Sequence, residues 1–92
     1  MTDQDIDSLV PVHNSAASRF EIALGDQFAV VDYDLRGDTL TIHHTGVPPA
    51  FENQGIAALM TKAALDWAKV EGYKVIPICS YTRAYMLRHP DV

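Results

Sequence analysis

The stretch that decides the fold is "PPAFENQGIAALM", Pro48–Met60. Before its prolines the apolar residues alternate. Past its glycine they recur at helical spacing. The two prolines end a strand, because proline has no N–H to give to a ladder. Gly55 and the small residues Ala57 and Ala58 then open a helix. A strand, a short loop and a helix N-terminus in this order make a natural anion seat. The first N–H groups of a helix have no partner within it, and the helix dipole adds partial positive charge there. A diphosphate can reach those amides only if the side chains at the turn are small. The same small residues would serve equally well for close packing.

Upstream, "SRFEIAL" places Phe20, Ile22 and Leu24 on one face and Arg19, Glu21 and Ala23 on the other, a half-buried strand. Gly25-Asp26 makes a hairpin turn to "QFAVVDYDL", with Val31, Tyr33 and Leu35 on its apolar face. Gly37 turns the chain again into "TLTIHHTGV". Strict alternation there puts Leu40, Ile42 and His44 on one face and Thr41, His43 and Thr45 on the other.

Downstream, Ile56, Leu59, Met60, Ala63, Ala64, Trp67 and Val70 form a helical stripe, with Thr61, Lys62, Asp66 and Lys69 on the far side. Gly72 is a stop signal. "YKVIPIC" reads as a short buried strand, Ser80 as a cap, and "YTRAYMLRH" as a last helix ended by Pro90. The order β-β-β-α-β-α predicts an α+β fold: a mixed, mainly antiparallel sheet with one parallel βαβ unit. Residues 1–17 are polar and without period and read as a flexible tail, leaving 18–92 as the single domain.

The chain has 92 residues, 48% of them apolar and 21% charged, which is enough for one small core. A net charge of −5 argues against a nucleic-acid partner, because there is no excess of Lys and Arg to neutralise phosphates. No apolar run is long enough to span a bilayer. The acidic start lacks the apolar core of a signal peptide, and the single cysteine, Cys79, suits a reducing compartment. The expectation is a cytoplasmic protein without membrane attachment. His43 and His44 are neighbours on a strand and cannot share a metal.

"VPPAFENQGIAALMTKAAL" resembles the acyl-coenzyme A pyrophosphate loop of the GNAT N-acetyltransferase superfamily. In that loop a strand is followed by Arg/Gln-x-x-Gly-x-Gly/Ala at a helix start. Gly55 and Ala57 match the pattern, whereas Glu52 stands where a basic or amide residue is usual. His44-Thr45-Gly46-Val47-Pro48, Cys79 and the Tyr85…His89-Pro90 ending extend the resemblance to a minimal single-domain branch. The resemblance implies acetyl-CoA as cofactor, with Gln54, Gly55, Ile56, Ala57 and Ala58 at its diphosphate and Thr45 and Val47 along its pantetheine arm. It implies an amine acceptor, and a Tyr on the last helix, best matched by Tyr85, that protonates the departing thiolate. Cys79, at a helix start, is a candidate nucleophile or acyl-pocket residue. His44 is a candidate base. The alternative expectation is a module that binds coenzyme A or a protein partner without turnover.

Overall fold

The structure, a computed structural model, describes residues 9–90. Its elements are β1 (Val12–Asn14), β2 (Arg19–Leu24), β3 (Gln27–Arg36), β4 (Thr39–Gly46), α1 (Ile56–Glu71), β5 (Lys74–Pro77) and α2 (Ser80–Arg88). The five strands lie in the order β1-β2-β3-β4-β5. Neighbours are antiparallel except β4 and β5, which are joined through α1 and run parallel. This is the expected α+β architecture with one strand added at the edge.

The cross-strand partners Phe20↔Val31, Ile22↔Ala29 and Tyr33↔Ile42 put one apolar face on each strand. That face is covered by Ile56, Met60, Ala64, Leu65 and Ala68 of α1 and by Tyr85 of α2. Fully burying one such large side chain stabilises the fold by about 1.5–3 kcal/mol. α1 begins after Gly55 and ends at Gly72, whose left-handed backbone lets its N–H reach the carbonyls of Ala68 and Lys69. Lys62 pairs with Asp66 at 2.7 Å, as the spacing predicts.

The helix is rotated relative to the expected stripe. Thr61, assigned to the solvent side, is fully buried, whereas Val70, assigned to the core, is 82% exposed. Leu59, Ala63 and Trp67 flank the core rather than centre it. A mixed run of small and large apolar residues leaves the phase of a helical stripe open by about one position, and packing against the sheet fixes it.

Two corrections concern the strands. Residues 12–17, which the sequence predicts as tail, instead form β1 and a 3₁₀ turn over Ser15–Ala17. A three-residue strand carries no readable alternation, and its anchor is His13, a residue that stands isolated in the sequence. The His13 ring stacks on Phe20 with centroids 4.3 Å apart and meets the edge of Trp67 at 4.3 Å. Its Nε2 lies 2.6 Å from the Tyr33 hydroxyl. Residues 1–8, the rest of that tail, lie outside the described residues.

The second correction is a β-bulge in β4. The register passes from Val31↔Thr45 and Asp32↔His44 to Tyr33↔Ile42, so His43 is an extra residue. The bulge breaks the period of two. Thr45, opposite core residue Val31, turns to the helix-covered face. His44, opposite Asp32, goes to the open face and is exposed. A Cβ on Gly46 would lie 2.8 Å from the His44 Nε2, so glycine is what lets that ring fold over the strand.

Burial holds the His13 pKa below its ordinary value. Burial, and then the nearby Tyr73, raise that of Tyr33. The Tyr33 phenol therefore keeps its proton beside a neutral His13. A histidine with a depressed folded pKa stabilises the fold above its unfolded pKa of about 6.5 and loses that contribution as pH falls below it. The urea midpoint of the wild type is expected to fall between pH 7.5 and 5.5 by more than that of His13→Gln. Equal falls in the two proteins would remove His13 from the acid response.

Candidate functional site

The pairing of β4 with β5 ends at Ile42↔Pro77, while β4 runs on to Gly46. The cause is local. Pro77 has no N–H to give, and the Ile78 N–H turns back to the Ile76 carbonyl at 3.1 Å. The Cys79 N–H then takes the Ile42 carbonyl at 2.9 Å. From that point α2 leads the chain away, and the end of β4 borders a gap instead of a strand.

The gap opens on a cavity of about 340 Å³. Thr45 and Val47 from the end of β4 form one wall, Gly55, Ile56 and Ala57 at the start of α1 the floor, and Tyr81 of α2 the opposite side. Phe51, Glu52 and Asn53 make the rim. The chain reaches the helix through a 3₁₀ turn at Pro49–Phe51, then Asn53 at φ 64° and Gly55 at φ 86°. A Cβ on Gly55 would meet nothing within 4 Å, so it is the positive φ that calls for glycine there. The first N–H groups of α1, whose residues Ile56 and Ala57 line this space, have no intrahelical partners. No lysine or arginine is among the lining residues, so any attraction for an anion comes from these amides and the helix dipole.

Five of the residues expected at a cofactor, Thr45, Val47, Gly55, Ile56 and Ala57, come together on this cavity. Gln54 is exposed and Ala58 packs against the core; neither lines it. His44 is turned away by the bulge, onto the face opposite Thr45. Tyr85 is 6% exposed in the core and stacks on His89 with centroids 4.2 Å apart. The tyrosine on the cavity is Tyr81. Burial pushes its phenol pKa up, Arg88 pulls it down more weakly, and Tyr85 adds to the rise. Phe51 and Asn53 were missed by sequence reasoning. The available signal was Asn53 itself, since asparagine tolerates the left-handed backbone.

Cys79 stands one layer behind the Thr45 wall, its Sγ 3.5 Å from Thr45 Oγ1. It is also the N-cap of α2, a place expected for Ser80. Burial alone would raise the thiol pKa. The Thr45 hydroxyl, the Thr82 and Tyr81 amides and the Thr82 hydroxyl act together in the other direction, and the net pKa lies below the ordinary value. Among the described residues no cluster of His, Cys, Asp and Glu could hold a metal ion, and no helix is long and apolar enough to cross a membrane.

Comparison with known proteins agrees with this geometry. A model of the GCN5-related N-acetyl-transferase family matches residues 19–92. The chain belongs to this family. Its relatives include Protein NATD1 of Xenopus tropicalis, 33% identical over 81 residues that cover 85% of this chain and 74% of the relative. Protein NATD1 of Mus musculus is 32% identical over the same length and the same shares. Protein NATD1 of Homo sapiens is 36% identical over 63 residues, 67% of this chain and 56% of the relative. The family match starts at the first residue of β2, so β1 and its His13 anchor lie outside it.

Proposed function

We infer that this protein binds an acyl-coenzyme A and transfers its acetyl group to an amine. The observation that carries the reading is the junction of two features. The free amides at the start of α1 and the open end of β4 border one cavity, with a tyrosine facing them. The residues present fit the cofactor. The amides of Ile56, Ala57 and Ala58 would hold the diphosphate, and the β4 edge at Thr45–Val47 would pair with the amide-bearing arm. When bound, acetyl-CoA supplies an activated acetyl thioester.

The chain's own groups do the rest. The two binding edges fix the donor against one wall, which converts an encounter into a positioned reaction. Tyr81, kept protonated by burial, can give a proton at the thiolate leaving group. His44, on the open face, is in no position to act as a base in the cavity. The family supports a small-molecule acyl donor, and a net charge of −5 favours a cationic amine as acceptor.

Glu52 on the rim is the feature that opposes an anionic ligand and favours a weak, non-catalytic coenzyme A module. Glu52→Arg is expected to tighten coenzyme A binding about fivefold, the worth of about 1 kcal/mol of charge reversal near solvent. Unchanged affinity in a calorimetric titration would place Glu52 away from the diphosphate. Turnover is tested by offering acetyl-CoA with polyamines, simple amines and lysine peptides. Acetylated product from any of them supports the transferase. Coenzyme A binding without product from any supports the module.

A further inference from the structure

The cavity carries one charged side chain of its own. Among the described residues that line it, only Glu52 is ionisable to a full charge at neutral pH. No described residue pairs with its carboxylate, unlike those of Asp32, Asp34 and Asp66. The backbone fixes its place. The 3₁₀ turn at Pro49–Phe51 is closed by the Phe51 N–H on the Pro48 carbonyl at 2.8 Å and by the Glu52 N–H on the Pro49 carbonyl at 3.3 Å. Phe51 packs against the core, which anchors the residue before the carboxylate. Asn53 follows at φ 64° and brings a side-chain amide to the same rim. Tyr81 stands across the cavity. The floor, with the first amides of α1, suits an anion. The rim suits an organic cation. Carboxylate and amide oxygens accept hydrogen bonds from an ammonium group, and aromatic rings attract positive charge.

We propose that this rim is the acceptor subsite: Glu52, with Phe51, Asn53 and Tyr81, holds one ammonium group of a diamine or polyamine while a second, neutral amine of the same molecule reaches the thioester. The inference rests on the acyl-transfer reading for its chemistry and on the cavity alone for its binding. In the transfer, the neutral nitrogen bonds to the acetyl carbon and the carbon–sulfur bond breaks. The departing sulfur takes the Tyr81 proton, and the surplus proton on nitrogen goes to solvent, from which Tyr81 is reprotonated. A monoamine must give up its only charge before it reacts, so Glu52 cannot hold it as it attacks. A diamine keeps one charge for the rim and offers the other nitrogen for reaction. Glu52 is therefore a specificity-determining residue and not a catalytic one. An ammonium on the rim also offsets the repulsion between Glu52 and a diphosphate on the floor, so each ligand raises the affinity of the other by the same factor.

The experiment is a calorimetric titration of the coenzyme-free protein with spermidine and with butylamine, at about 0.15 M salt to screen diffuse attraction to an acidic protein. Spermidine is expected to bind at one site and more tightly than butylamine. Glu52→Gln should weaken spermidine about fivefold, the scale of one exposed charge pair. Asp38→Asn is the control. It removes the same charge from the turn between β3 and β4, at the far end of β4 from the cavity, and should leave spermidine at its wild-type affinity. Both positions are exposed, so neither change disturbs the core. With acetyl-CoA present, Glu52→Gln should raise the KM for spermidine by the same factor and leave kcat and the turnover of butylamine unchanged. Equal affinities for the two amines, or equal losses in Glu52→Gln and Asp38→Asn, would overturn the proposal. So would a fall in kcat with KM unchanged. Spermidine binding that depends on Glu52, in a protein that ignores coenzyme A, would keep the subsite and remove the cofactor reading. Coenzyme A binding beside spermidine titrations indifferent to Glu52 would do the opposite.

Discussion

Ala57→Glu is expected to weaken coenzyme A binding by roughly 100-fold while the domain stays folded, since a like charge set against a ligand costs several kcal/mol. Ala57 lies in the first turn of α1 and lines the cavity floor. Its methyl group leaves the neighbouring amides open. A carboxylate there occupies the place proposed for the diphosphate and repels it. The same carboxylate suits the helix, because a negative charge in the first turn stabilises it by about 0.3–1 kcal/mol. Stability and binding should therefore move in opposite directions. A misfolded variant would lose both, and a seat elsewhere on the molecule would lose neither. Calorimetry with coenzyme A and a urea melt of the same preparation separate the three.

Trp67→Ala is expected to lower stability by about 3 kcal/mol, a fall of ~15 °C in thermal midpoint for a domain of this size. Trp67 is half-buried but central to the aromatic group. Its ring lies 4.3 Å from His13, 5.3 Å from Tyr33, 5.8 Å from Phe20 and 5.2 Å from Tyr73. These residues come from β1, β2, β3, α1 and the turn before β5. Removing the indole leaves a gap that no neighbour can fill, and it withdraws one side of the slot that holds His13. β1 should lose its protection from hydrogen exchange ahead of β2 and β3. A loss of less than 1 kcal/mol, followed by circular dichroism because the only tryptophan is gone, would show that the cluster is decoration on the core.

The α+β architecture was legible because its signals are periodic. Alternation fixed Phe20, Ile22 and Leu24 inside β2, and the change of period at Gly55 located α1 within a residue. The parts that escaped are those where one residue breaks a period. The bulge at His43 cannot be seen in "TLTIHHTG", because either histidine could be the extra one. It nevertheless decides that Thr45 and not His44 meets the cavity. On α2, Tyr81 and Tyr85 share a helical face, so spacing does not say which is buried. The end of β4 decides it, since the gap lies beside the first turn of α2 and the second turn packs on the core. Thr82 gave no signal at all. A threonine three residues after a cap is ordinary in sequence, and only the structure shows it fully buried with no hydrogen-bond partner for its hydroxyl. β1 was missed for a simpler reason: three residues are too few to show a pattern, and its anchor is made by rings distant in sequence.

The central claim is that the start of α1 and the open end of β4 form one seat for coenzyme A. The most direct test is a calorimetric titration of the wild-type protein with acetyl-CoA. Saturable binding at one site per chain, weakened roughly 100-fold by Ala57→Glu and retained in Tyr81→Phe, is the predicted result. An absence of binding, or binding that Ala57→Glu leaves unchanged, would contradict it.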